Sequence, residues 1–330
     1  MTENSPISTF FEVGVNTFII VGGVVGNIFI LVLIAKRKNM HNITNYFVFN
    51  LALADLAISV IVIPFTMAHT LKYWKPRELE CKIVMPILEH FAGVCVLTHT
   101  SLSIARHLIV SSRTNKQLVS LRYIVLIIVL IWLVAFLIIS VGLMGVFANF
   151  ILDHKKSCTL VFKGHGKVVY TVIVFVVTYI IPMTLTGFSY YRIHRTISSN
   201  MTSLKNHMSK EIYVCRQRSS KRLDRILWTM YIFFGTTTLP LQAYYFADGL
   251  NIIPQWDHNQ KIWSLFISLF YLQVVTNPFV MLYMGSEYRR ELFSCCFNHC
   301  IHKTSLKVKG SILGRGLGYI KRKPTRETNC

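Results

Sequence analysis

Seven apolar runs, each close to the length of a membrane crossing, constrain this chain more than any other feature. They fall at about Phe10–Ala35, Tyr46–Thr70, Ile83–Ile109, Tyr123–Phe150, Val168–Tyr191, Ile226–Phe246 and Ile262–Met284. About 20 apolar residues carry a helix through the hydrocarbon core. A backbone in lipid must satisfy its own hydrogen bonds, and a helix does so within one segment. The expected fold is therefore an all-α membrane protein: a seven-transmembrane helix bundle with a short amphipathic helix after span seven. Residues 1–9 are expected to form a short extracellular N-terminus and 10–284 the membrane domain. Residues 285–300 are expected to hold the amphipathic helix and a palmitoylation segment, and 301–330 a basic cytoplasmic tail. The opening MTENSPISTFFE has no basic region before an apolar run, so span one is expected to serve as its own insertion signal.

Charge gives the orientation. The net charge is +21, and most basic residues lie in short segments between the runs or in the tail. Lys36, Arg37 and Lys38 follow span one; Arg113, Lys116 and Arg122 follow span three; Arg192, Arg195, Lys221, Arg222 and Arg225 lie between spans five and six; Arg289 and Arg290 follow span seven. In a seven-crossing path these segments share one side, which the distribution of Lys and Arg marks as cytoplasmic. The N-terminus is then outside and the C-terminus inside, in a multi-pass plasma-membrane protein. Lys72, Lys75, Arg77, Lys155, Lys156, Lys163 and Lys167 on the outer side narrow this margin without reversing it. They would also favour an anionic ligand, or serve simply as solvated loop charges. A basic chain raises the question of nucleic acid, but no soluble unit remains to carry such a surface. The 8 cysteines show no repeated pair spacing of a metal site or disulfide scaffold. No nucleophile–base pair, metal cluster or phosphate loop points to an enzyme, and no motif calls for a cofactor.

The third run ties the two membrane faces together. Cys81 and Arg106 stand 25 steps apart, roughly 38 Å along a helix. Leu88, Ala92, Cys95, His99, Leu102 and Arg106 recur at alternating steps of four and three and share one face. Half of that face is small or polar, which suits a helix surrounded by helices rather than by lipid. Asp55 in the second run is costly in hydrocarbon, by about 2.5–3.5 kcal/mol on insertion scales, and must face inward to polar partners. Asn27 and Asn277 are the natural ones.

In order along the chain, these residues resemble the rhodopsin-like (class A) G-protein-coupled receptors. Gly26-Asn27 matches span one, Leu51-Ala52-Leu53-Ala54-Asp55-Leu56 span two, Trp74 the first outer loop and Trp132 span four. Pro182 and Tyr190 match span five, Phe234 and Pro240 span six, and Asn277-Pro278 span seven. The resemblance covers about Gly26 to Cys296 and implies a cell-surface receptor that converts binding of an extracellular ligand into activation of a heterotrimeric G protein. It implies a disulfide between Cys81 and Cys158, and G-protein coupling through Arg106 and Tyr190. It implies a sodium site at Asp55, Asn27 and Asn277, although Cys95 replaces the serine that the family uses there. The alternative for that cluster is a hydrogen-bonded structural acid.

Several of the family's switch positions are replaced. The acid–Arg–Tyr triplet reads Ala105-Arg106-His107, so the acid that restrains the arginine is missing. Thr238 stands for the span-six tryptophan, Met281 for the span-seven tyrosine, and His99 for a leucine in an apolar layer. His99 is expected to be a neutral histidine bonded to a neighbour, with a proton sensor as the alternative. Intact anchors with altered switches imply altered gating: raised basal activity or weak coupling.

The ligand is approached by exclusion. Tyr271 stands where opsins carry the retinal lysine, and Leu88 where amine receptors carry an aspartate. Glu89 offers a carboxylate to a cationic group at a different angle, or serves as a protonated acid bonded between helices. Glu89, His69, Gln242, Tyr245 and Tyr271 are the residues expected to line an outer cavity, polar groups in an apolar cleft. A peptide or small neuromodulator fits best, since Pro64-Phe65 resembles peptide- and amine-type receptors. Cys295 and Cys296 after span seven are candidates for palmitoylation, beside a bilayer whose anionic leaflet suits the basic tail. The competing readings are a receptor-like decoy or scaffold without signalling, and a transporter using Asp55, Glu89 and His99. The lack of paired repeats weighs against the transporter.

Overall fold

The computed structural model describes residues 6–71, 77–111, 121–143, 148–152, 158–162, 166–204, 210–252 and 260–292. Its helices are α1 (Pro6–Lys36), α2 (Ile43–Ala57), α3 (Ile63–Thr70), α4 (Glu78–Ser111), α5 (Leu121–Leu143), α6 (Gly166–Phe175), α7 (Ile181–Leu204), α8 (Lys210–Gly249), α9 (Gln260–Tyr271) and α10 (Gln273–Met284). The pairs α2–α3, α6–α7 and α9–α10 each make one span, so the described helices form seven. A further helical turn begins at residue 286. α4 is central: it packs on α2, α5 and α7.

Proline explains two of the breaks. A proline removes an N–H and its ring crowds the carbonyl four residues before it. Pro64 and Pro182 crowd Val60 and Thr178, and each of those residues lies in a wide π-turn, Ile58–Val62 and Val176–Ile180. One extra residue in the turn moves the carbonyl aside without ending the helix. Pro278 inside α10 frees the carbonyl of Val274 in the same way, and here a side chain supplies the missing donor. Asn27 Nδ2 donates to Val274 O at 3.0 Å and to Gly23 O at 2.9 Å. The expected Asn27–Asp55 pairing is thereby corrected: both amide hydrogens go to backbone carbonyls. Gly26 has a related reason. A Cβ there would lie 2.7 Å from Pro278 Cγ, too close for any side chain, so glycine lets α1 reach the proline.

Other polar residues tie the spans. Trp132 Nε1 donates to Asn50 Oδ1 at 2.9 Å, and Asn50 Nδ2 donates to Thr98 Oγ1 at 2.8 Å. This relay links α5, α2 and α4, each bond worth about 0.6 kcal/mol by the average for such contacts in membranes. Asn42 caps α2, its Oδ1 accepting from the Asn45 N–H at 3.0 Å.

The structure differs from the expected runs in three places. α1 begins at Pro6, before Phe10. The fourth run does not remain helical to Phe150: α5 ends at Leu143, and Ala148–Leu152 forms strand β1, paired antiparallel with β2 (Cys158–Phe162), Ala148 opposite Phe162 and Leu152 opposite Cys158. The bundle therefore carries a small β-hairpin that the all-α expectation lacked. Six of the described spans are strongly apolar, whereas the sixth run, within α8, is less so. It holds three successive threonines, and two hydroxyls fold back on their own helix, Thr236 to Ile232 O at 2.8 Å and Thr237 to Phe233 O at 2.7 Å. Back-bonding lets a polar helix remain among apolar neighbours.

Candidate functional site

The residues that carry chemistry lie at three levels. At the end that holds Cys81, α4 packs against both strands. Cys81 is fully buried and disulfide-bonded. Cys158 opens β2, opposite Leu152, and its side chain lies outside the described residues.

Glu89 lies two turns further along α4. Its side chain is exposed, yet it is close enough to Tyr170 of α6 and Tyr245 of α8 to act on both electrostatically. That nearness puts Glu89 on the side of α4 turned toward spans five and six. Tyr245 is itself exposed, and its hydroxyl accepts from Trp263 Nε1 of α9 at 3.2 Å. Tyr271 is buried, its hydroxyl 2.8 Å from that of Thr66, and it neighbours Tyr245. Gln242 is half-buried one turn before Tyr245. His69 belongs to α3, and its side chain lies outside the described residues. Thus Glu89, Tyr245 and Tyr271 come together. Tyr170, Trp263 and Thr66 join them without having been expected from sequence. Tyr170 and Trp263 were legible only as aromatic residues near the start of their spans.

At mid-depth Asp55 is fully buried, with both carboxylate oxygens engaged. Cys95 Sγ donates to Oδ1 at 3.3 Å and Asn277 Nδ2 to Oδ2 at 2.8 Å. A cavity of about 10 Å³ beside them, lined by Asn27, Asp55 and Asn277 among others, has room for about one water. The donor set does not fit sodium. That ion needs hard oxygen ligands, and here a thiol holds one carboxylate oxygen, an amide the other, and Asn27 is committed to backbone. His99 likewise departs from expectation. Its Nε2 meets no partner, and the ring packs on Phe234 with centroids 5.0 Å apart. Thr238 Oγ1 is also buried without a partner, in a site vacated by the family's larger tryptophan.

At the opposite end a cavity of about 690 Å³ opens between the spans, its wall including Leu102, Arg106, Arg222, Ile226, Met281 and Tyr288. Arg106 Nε is buried without a hydrogen-bond partner. Its electrostatic neighbours are Tyr190, Tyr288 and Glu287, and no carboxylate lies within ion-pair distance of it among the described residues. Tyr190 is buried edge-on to Trp228 and Tyr231. Burial holds the Tyr288 phenol above its ordinary range, so it stays a donor, to Asn45 Oδ1 at 2.8 Å. Arg37 pairs with Glu291 at 3.0 Å, fastening the segment after span seven to the turn after span one. Cys295 and Cys296 lie outside the described residues.

Comparison with known proteins agrees with this layout. Residues 26–281 match the family described as 7 transmembrane receptor (rhodopsin family). The chain is 29% identical over 294 residues to neuropeptide Y receptor type 2 of Sus scrofa, covering 84% of this chain and 73% of that one. It is 28% identical to the same receptor of Homo sapiens with the same coverage, and 29% identical over 293 residues to that of Mus musculus, again over 84% and 73%.

Proposed function

The chain belongs to the rhodopsin family of seven-transmembrane receptors, and on that premise we propose that it binds a peptide at its Cys81 end and engages a heterotrimeric G protein at its Arg106 end. As a family member it is a G-protein-coupled receptor of the plasma membrane, multi-pass, and not an enzyme. The peptide class rests on relatives named for neuropeptide Y, and on an outer cleft of one carboxylate among aromatic side chains. The orientation, Arg106 end inside and N-terminus outside, rests on the basic segments that gather there. Cys158 is the proposed partner of Cys81, since the strand that it begins packs on α4. Cys295 and Cys296 are proposed to be lipidated, next to a helix that Arg37–Glu291 holds at the inner face.

One observation carries the G-protein assignment: the cavity of about 690 Å³ with an unpaired Arg106 in its wall. An arginine without a carboxylate is ready to donate to carbonyl groups of a helix end entering from outside. Ala105 places no carboxylate next to it in the chain, and Glu287 acts on it electrostatically without an ion pair. Basal coupling is therefore expected to be raised rather than weak. The test is nucleotide exchange on a panel of purified heterotrimers, catalysed by the receptor in lipid nanodiscs. Faster exchange with wild type than with Arg106→Ala supports the reading. No exchange on any heterotrimer, alone or with neuropeptide Y and a wider peptide library, overturns it. Neither the transporter nor the decoy reading gains support from the family match.

A further inference from the structure

Among the described residues, three acids at the outer end are engaged, whereas Glu12 of α1 and Glu89 of α4 are not. Glu78 pairs with Lys82 at 2.8 Å. Glu80 accepts from the Arg77 N–H at 3.1 Å at the start of α4. Asp248 pairs with Lys167 at 3.3 Å, and Lys167 also reaches Asn251 Oδ1 at 3.2 Å. Glu89 makes no hydrogen bond and no ion pair with any described residue. Among the described cations at this end, Lys82 and Lys167 are taken. In a chain of net charge +21, a carboxylate within a span and without a cationic partner among the described residues is available to a ligand.

Its surroundings have the features of a cation site. Tyr170 and Tyr245, from two different spans, lie close enough to Glu89 to interact with it electrostatically. The Tyr245 hydroxyl is held by the indole N–H of Trp263, which fixes where the phenol points. Ring faces beside a carboxylate attract guanidinium and ammonium groups, and an Arg-type fork gains two parallel hydrogen bonds to one carboxylate. We propose that Glu89, with Tyr170 and Tyr245 as its electrostatic neighbours, binds a positively charged group of the ligand, a guanidinium or an ammonium. For a peptide ligand that group is a basic side chain or the free amino terminus. The inference rests on the reading of this cleft as the ligand site, and it names the charge which that ligand must carry.

The test uses full-length receptor in nanodiscs and small probes: benzylguanidinium, benzylammonium and the uncharged, isosteric benzylurea. Binding is followed by saturation-transfer NMR and by thermal stabilisation. Probes of this size bind with Kd on the order of 1 mM when each atom contributes modestly. The expected result is saturable binding of the cations and none of benzylurea. Glu89→Gln is expected to weaken the cations roughly ten- to hundredfold, as for loss of a charged hydrogen-bond partner. Glu78→Gln, which removes the same charge from an exposed pair, leaves them within about twofold. If Glu89→Gln does not fold, wild type serves alone: carbodiimide coupling of an amine to Glu89, read by mass spectrometry, is blocked by benzylguanidinium, which does not itself couple, and not by benzylurea. Which of the two cations binds tighter identifies the group. Equal affinity in Glu89→Gln, benzylurea binding as well as the cations, no saturable binding to wild type, or no protection of Glu89 overturns the proposal. Exchange on G proteins, measured on the same nanodiscs with Arg106→Ala, reports separately whether the receptor reading has failed.

Discussion

Removing the amide of Asn27 tests how the backbone break at Pro278 is satisfied. Pro278 leaves the Val274 carbonyl without its helical donor, and Asn27 Nδ2 replaces that donor from another span at 3.0 Å. Asn27 and Val274 are both buried. Asn27→Ala therefore strands a carbonyl in apolar surroundings, at a cost of about 1–3 kcal/mol, or a fall in melting temperature of roughly 2–10 °C for a domain of this size. The mechanism predicts a rescue. Pro278→Ala restores an N–H at residue 278 that can reach Val274 O, so Asn27→Ala should cost little in that background. The assay is a double-mutant cycle on purified receptor in nanodiscs, melting followed by tryptophan fluorescence. A coupling energy of about 1 kcal/mol or more is expected. Equal destabilisation in both backgrounds would refute the reasoning, because the carbonyl freed by the proline would then not be what Asn27 satisfies.

Gly26→Ala places a methyl group 2.7 Å from Pro278 Cγ; we expect about 1–3 kcal/mol of destabilisation and reduced surface expression, both relieved by Pro278→Ala and measured by the same melts. Cys81→Ser is expected to cost about 2–5 kcal/mol, with Cys158→Ser equivalent and the double variant no worse, each receptor now insensitive to reducing agent. Exchanging sodium for choline at constant ionic strength should leave the wild-type melting temperature unchanged, whereas Cys95→Ser, which supplies a hydroxyl oxygen next to Asp55, should make it sodium-dependent. Tyr288→Phe removes the bond to Asn45 and should cost roughly 1 kcal/mol, read as a lower melting temperature with ligand binding intact.

The spans were legible because hydrocarbon selects for them directly, and Gly26, Asp55, Trp132 and Asn277 could be placed from sequence alone. The hairpin was not, since its first strand continues the apolar run of span four and hydropathy carries no signal of where helix becomes strand. Asn27 was assigned to Asp55 because an inward amide and an inward acid look complementary. The competing partner exists only through Pro278, whose effect falls on a carbonyl four residues away in another span. In the outer cleft, Glu89, Tyr245 and Tyr271 were found by helical position. Tyr170 escaped because the sequence gives the rotation of span five only loosely, its outward faces being as apolar as its inward ones. Arg106 was legible as an arginine without its acid, but the cavity around it is a property of several converging segments.

Arg106 forms no ion pair among the described residues, so coupling is proposed not to wait on release from an acid. Basal G-protein reporter output in cells expressing wild type and Ala105→Asp at matched surface levels tests this most directly. Returning a carboxylate beside Arg106 should lower basal output by about tenfold, the equivalent of roughly 1.4 kcal/mol in the equilibrium between free and restrained arginine. Unchanged or higher output from Ala105→Asp would contradict the account.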